Sequence, residues 1–73
     1  MRDLDEKKLR LIKLIEHWAE HNDEHGRRFD ESAAEAEEEG LHGAAKELRS
    51  ASQKAREASK HLKKARNELE EGG

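Results

Sequence analysis

Seventy-three residues with a net charge of −3, 45% of them charged and 32% apolar, make one small domain (residues 1–73) too poor in large apolar side chains to bury a sizeable core alone. The absence of cysteine excludes disulfides and thiolate metal sites, and the acidic balance argues against a nucleic-acid partner. The charged start Met1-Arg2-Asp3-Leu4-Asp5-Glu6-Lys7-Lys8, leading into Leu9 to Ile15 broken by Arg10 and Lys13, is neither a secretory signal nor a membrane span; a cytoplasmic location without a membrane partner is the expectation.

Apolar residues at Leu4, Leu11, Ile15, Trp18, Phe29, Ala33 and Ala36 recur at helical spacing with no proline between them, which predicts one long helix from about Asp3 to Glu39. Gly26 inside it costs roughly 1 kcal/mol relative to alanine, so a break there is the alternative. Glu38-Glu39-Gly40-Leu41 reads as a helix stop, with Gly40 left-handed and Leu41 packing back. A second helix is expected within three residues, in a heptad with Leu41, Leu48, Ala55, Leu62 and Leu69 in one row and Ala44, Ala51, Ala58 and Ala65 in the other. Glu70 to Gly73 should fray.

Residues 16–39 carry ten acidic and two basic side chains, whereas residues 42–66 carry eight basic and two acidic. Folding back at Gly40 sets these opposite charges side by side, so the expected fold is all-α: an antiparallel helical hairpin, or coiled coil, in which Leu62 lies level with Ala19 and Lys60 with His21. The longer first arm should leave Leu9, Leu11, Ile12, Leu14 and Ile15 largely beyond the end of the second, covered only by Leu69. An apolar overhang calls for another subunit, and a two-fold homodimer forming a helical bundle is the simplest closure.

His17, His21 and His25 fall four residues apart, a row of imidazoles along one flank of the first helix. On a helical wheel the apolar face centres near Leu11 and Trp18, with His25 at its edge, His21 further round and His17 furthest. Neutral imidazole is the commonest ligand for borderline transition metals, and adjacent turns allow two rings to close on one ion. His17 and His25 stand about 12 Å apart along the axis, so one pair per subunit is expected to share an ion. Its other ligands would be a second pair across a dimer axis, His61 from the second arm, or a carboxylate such as Glu20 or Glu24. Nickel, cobalt, copper and zinc all suit such a donor set. Protonated imidazole cannot ligate, so binding should weaken as pH falls through about 6.5. Trp18 fills a core or shields the site. Asn22 fixes the register of a helix pairing or bonds an imidazole. His42, at the turn, reads as solvated.

His17-Trp18-x-x-His21-x-x-x-His25 on a charged, alanine-rich hairpin resembles the CooJ family of nickel-binding accessory proteins of carbon monoxide dehydrogenase. The likeness covers nine residues plus the architecture. It implies a homodimeric coiled coil with a Ni(II) site at the motif here numbered His17, Trp18, His21 and His25, and carbon monoxide dehydrogenase or its other accessory proteins as client. That family also carries a variable histidine-rich tail, which this sequence lacks up to Gly73; the resemblance reads it as a shortened helical domain or a divergent member.

Two readings from different classes therefore compete: a nickel metallochaperone, and a metal-free coiled-coil interaction module. An enzyme is not expected. Trp18 stands where a zinc protease of the H-E-x-x-H type needs its glutamate base, and the chain is too short to build a substrate cleft.

Overall fold

Two helices, α1 (Arg2–Glu38) and α2 (His42–Glu70), lie antiparallel in a rod of 58 × 15 × 11 Å. The computed structural model describes residues 2–72 and the side chains of residues 6–72; the Leu4 side chain and Gly73, both used in the expectations above, lie outside these limits. The all-helical hairpin expected from the sequence is the fold, with its turn where Gly40 placed it.

Gly40 takes φ 77°, and the Leu41 and Gly40 amides donate to the carbonyls of Ala36 (2.9 Å) and Glu37 (3.0 Å). This is the Schellman closure, in which a left-handed residue turns two amides back on the last helical carbonyls. The Leu41 side chain, however, stays exposed.

The seam between the helices differs from the expected one. Its buried residues are Ile15, Ala19, Gly26 and Ala33 on α1 and Ala45, Ser52, Ala55 and Ser59 on α2. Leu11 and Trp18, expected at the centre of the apolar face, are 46% and 45% exposed. The alanine row of α2 is displaced as well: Ala44, Ala58 and Ala65 are exposed and Ala51 half-buried, and Ala45, Ser52 and Ser59, one residue further on, take its place.

The cause is close approach. Small residues let two backbones come near enough for hydroxyls to reach across: Ser52 Oγ donates to the Gly26 carbonyl at 3.0 Å and Ser59 Oγ to the Ala19 carbonyl at 3.3 Å. A buried serine whose proton has a partner is compatible with a core, and each such bond contributes about 1 kcal/mol. Bulky Leu11, Leu14 and Trp18 do not fit such a seam, and they turn to its flank. The overhang expectation fails for the same reason. Leu69 and Glu70 reach the level of Lys8, Leu9 and Ile12, with which they line one hollow, so Leu11 and Leu14 are exposed sideways rather than by a shortage of α2.

α1 continues through Gly26 without a break. A β-carbon there would meet Arg56 Cγ at 3.4 Å and the Ser52 carbonyl at 3.6 Å, ordinary contacts, the nearer one to a flexible side chain. Gly26→Ala is therefore expected to raise stability by up to about 1 kcal/mol through helix propensity. A thermal melt followed by circular dichroism checks this, and a lowered midpoint would mean that the close approach of the helices at Gly26 does not accept a side chain.

One flank of the seam carries a ladder of ion pairs, at seven-residue steps along α1: Glu37 with Arg49 (3.0 Å), Asp30 with Arg56, Asp23 with Lys63 (3.2 Å) and Glu16 with Arg66 (3.2 Å). The ladder realises the charge asymmetry of the two arms and fixes which side of each helix faces solvent. The carboxyls of Asp23, Asp30 and Glu37 are held below their ordinary range, by the Ser59 hydroxyl and then Lys63, by the Ser52 hydroxyl and then Arg56, and by His42 and then Arg49. Each serine has one proton, and bond geometry directs it to the α1 carbonyl, so the neighbouring aspartate receives it only in competition.

A carboxyl with a lowered folded-state pKa stabilises the fold above its ordinary value, 3.8 for Asp and 4.5 for Glu, and that gain is lost as pH falls through the folded value. The melting temperature is expected to drop between about pH 5 and pH 3. The drop should be modest, because exposed pairs are screened by solvent. A midpoint unchanged over that interval would show that the ladder contributes nothing.

Candidate metal centre

The flank opposite the ladder holds His21 and His25. On α1 the exposed apolar stripe Leu11, Leu14, Trp18 runs directly into His21, His25 and Phe29, because steps of three, four and seven residues return to nearly the same side of a helix. Asn22 is half-buried on the seam side of this stripe.

His21 and His25 form a close pair, with Nε2 atoms 2.9 Å apart, ring centroids 4.3 Å apart and ring planes nearly perpendicular at 81°. One Nε2 carries the shared proton and the other accepts it. The spacing also suits chelation. Two nitrogens each ~2.1 Å from an ion lie ~3.0 Å apart when the angle at the ion is a right angle and ~3.4 Å apart when it is tetrahedral. The 2.9 Å separation lies nearer the right-angle value than the tetrahedral one.

His17 stands apart. Its ring lies nearly parallel to that of His21, at 14°, with centroids 6.3 Å apart, and its side chain is exposed. His61 is exposed on α2. Among the described residues no group of three or more His, Asp or Glu side chains is placed to hold an ion. Among the described residues one chain thus brings two imidazoles together and no third donor beside them. Of the two carboxylates considered from sequence, Glu24 is turned to Arg27 and Arg28, which leaves Glu20 as the one not so engaged among the described residues. His42 bonds Glu37 at the turn, far along the rod from the pair.

Trp18 does not fill the core of the single chain; its exposed ring lies on the stripe between Leu11 and the histidine pair. Phe29 was not singled out by spacing arguments about metals, yet its ring stacks on His25 at 17° with centroids 5.8 Å apart and caps the far side of the pair. The signal was available in the sequence: Phe29 continues the four-residue step of the histidines by one more turn.

A family profile described as a domain of unknown function (DUF8180) matches residues 11–69. The chain belongs to this family. The DUF8180 match takes in both arms, the turn and all five histidines. No curated protein and no solved structure matches the chain. No helix among the described residues of this DUF8180 protein is long and apolar enough to cross a membrane.

Proposed function

We propose that this protein is a cytoplasmic nickel-binding metallochaperone without catalytic activity, acting as a homodimer that holds Ni(II) on imidazoles from successive turns of α1 at the subunit boundary. The observation that carries the reading is the 2.9 Å separation of His21 Nε2 and His25 Nε2, on the same stripe as the exposed Leu11, Leu14 and Trp18. A ligand pair that needs further donors, set within an uncovered apolar surface, gains both from a second copy. The small seam adds weight, since a buried set of Ile15, four alanines and two serines is a meagre core for a free-standing hairpin. Trp18 and Phe29 then exclude water on either side of the site. Service to carbon monoxide dehydrogenase rests on the resemblance of the His17, Trp18, His21, His25 motif to the CooJ family.

The exposed apolar flank also favours a second reading, a metal-free coiled-coil interaction module. Equilibrium dialysis against mixed nickel, cobalt, copper and zinc separates the two. Nickel retained well above buffer is expected, and protein that retains no ion above background leaves the module reading alone.

A further inference from the structure

Of the two rings that form the pair, His25 is the more confined: it is half-buried, whereas His21 is exposed. The torsion that turns an imidazole about its bond to Cβ has broad wells rather than three sharp ones, so the helix alone does not aim Nε2. A histidine that binds a metal is usually aimed by a hydrogen bond from its other ring nitrogen to a carboxylate or a carbonyl. Among the described residues Nδ1 of His25 makes no such bond, and the adjacent Glu24 carboxylate is turned to Arg27 and Arg28.

What the His25 ring does meet is Phe29. The two rings are nearly parallel, at 17°, with centroids 5.8 Å apart, inside the range of about 4.5–7 Å over which aromatic rings attract when stacked with an offset. Phe29 is half-buried and stands on a tied stretch of α1: three residues before it the Gly26 carbonyl accepts the Ser52 hydroxyl at 3.0 Å, and beside it Asp30 pairs with Arg56. His21 has no like support. Its neighbour on the other side is the exposed His17, with centroids 6.3 Å apart.

From this we infer that Phe29 is a positioning residue for the pair: its ring holds the His25 imidazole in the orientation that sets Nε2 toward His21. The inference rests on the nickel reading above for its consequence and adds a residue outside the histidine row. Phe29 ligates nothing itself. It makes His25 the fixed arm of the chelate and leaves His21 as the arm that yields, so that one imidazole is already aimed when an ion arrives.

Nickel titration of the full-length wild type, Phe29→Leu and Phe29→Tyr tests the role. Leucine keeps an apolar side chain and a good helix former without a ring face, and tyrosine keeps the face. Affinity is expected to fall roughly threefold to tenfold in Phe29→Leu, the worth of one aromatic pair, and to return to within about twofold of the wild type in Phe29→Tyr. Equal affinity in the wild type and Phe29→Leu overturns the inference, as does a tyrosine variant as weak as the leucine one. In a His21→Ala background no pair remains to be aligned, so Phe29→Leu should there change affinity by less than about twofold. An undiminished loss in that background means that Phe29 acts through the fold at large, and the positioning role is lost.

Proton NMR of the metal-free chain keeps this inference apart from the metal reading. The ring current of Phe29 is expected to displace the His25 ring protons in the wild type and in Phe29→Tyr, and the displacement should vanish in Phe29→Leu. A wild type that takes up no nickel but shows the displacement removes the metallochaperone reading and keeps the alignment. Nickel uptake with undisplaced His25 protons does the reverse.

Discussion

His21→Ala is expected to weaken nickel binding by on the order of 100-fold or more, about 3 kcal/mol. The substitution removes one arm of the chelating pair and leaves His25 as a single imidazole, so the ion loses a ligand and the entropic advantage of two donors held at a fixed 2.9 Å. Fold stability should change little, because His21 is exposed and alanine is the better helix former. Isothermal titration of nickel into the wild type, His21→Ala and His42→Ala measures this. His42, bound to Glu37 at the turn, is the control whose loss should leave affinity unaltered. Equal affinity in wild type and His21→Ala would remove the pair as the site. A loss for His17→Ala as large as that for His21→Ala would show that the row acts as a unit of three, contrary to the isolated position of the His17 ring.

Ser52→Leu is expected to remove much of the hairpin's stability and to lower its melting midpoint steeply, whereas Ser52→Ala costs about 1 kcal/mol. Ser52 is 0% exposed, and its hydroxyl touches the backbone of the facing helix at Gly26, where no side chain can move aside on the α1 side. Removing the hydroxyl forfeits one net hydrogen bond and leaves a carbonyl still satisfied by its own helix. Adding a leucine forces the backbones apart along the whole seam. Overpacking of this kind costs about 1–3 kcal/mol, comparable with the ~3–5 kcal/mol that a core of this size supplies in total. Thermal melts of the two variants check the contrast. If Ser52→Leu melts at or above the wild-type midpoint, the seam is not fixed by the size of its residues.

Much of the architecture was legible in the chain. The helical spacing from Leu11 to Ala36, the absence of proline and the Glu38-Glu39-Gly40-Leu41 stop are local signals, and local signals set helix limits and turns through propensity and backbone conformation. The charge asymmetry of the two arms predicted their antiparallel pairing, and the Glu37–Arg49 to Glu16–Arg66 ladder is its physical form. The face each helix turns inward was not legible. Hydrophobicity ranks Leu11, Trp18 and the alanine row above Gly26, Ser52 and Ser59, but two backbones reach their closest packing where side chains are smallest, and a serine in such a seam is satisfied by the facing carbonyl.

The candidate site divides along the same line. The four-residue steps alone determined that His17, His21 and His25 climb one flank and that adjacent rings are within reach, since helix geometry is fixed by covalent chemistry and periodicity. Side-chain rotamers on α1 itself decided that His21 and His25 close to 2.9 Å while His17 stands off and that Glu24 is drawn to Arg27 and Arg28, whereas only the tertiary structure decided that Trp18 lies beside the pair on an uncovered surface. These outcomes depend on side-chain rotamers and on which flank the partner helix occupies. The second is settled by packing between segments distant in the chain, a term that the order of residues along one helix does not contain.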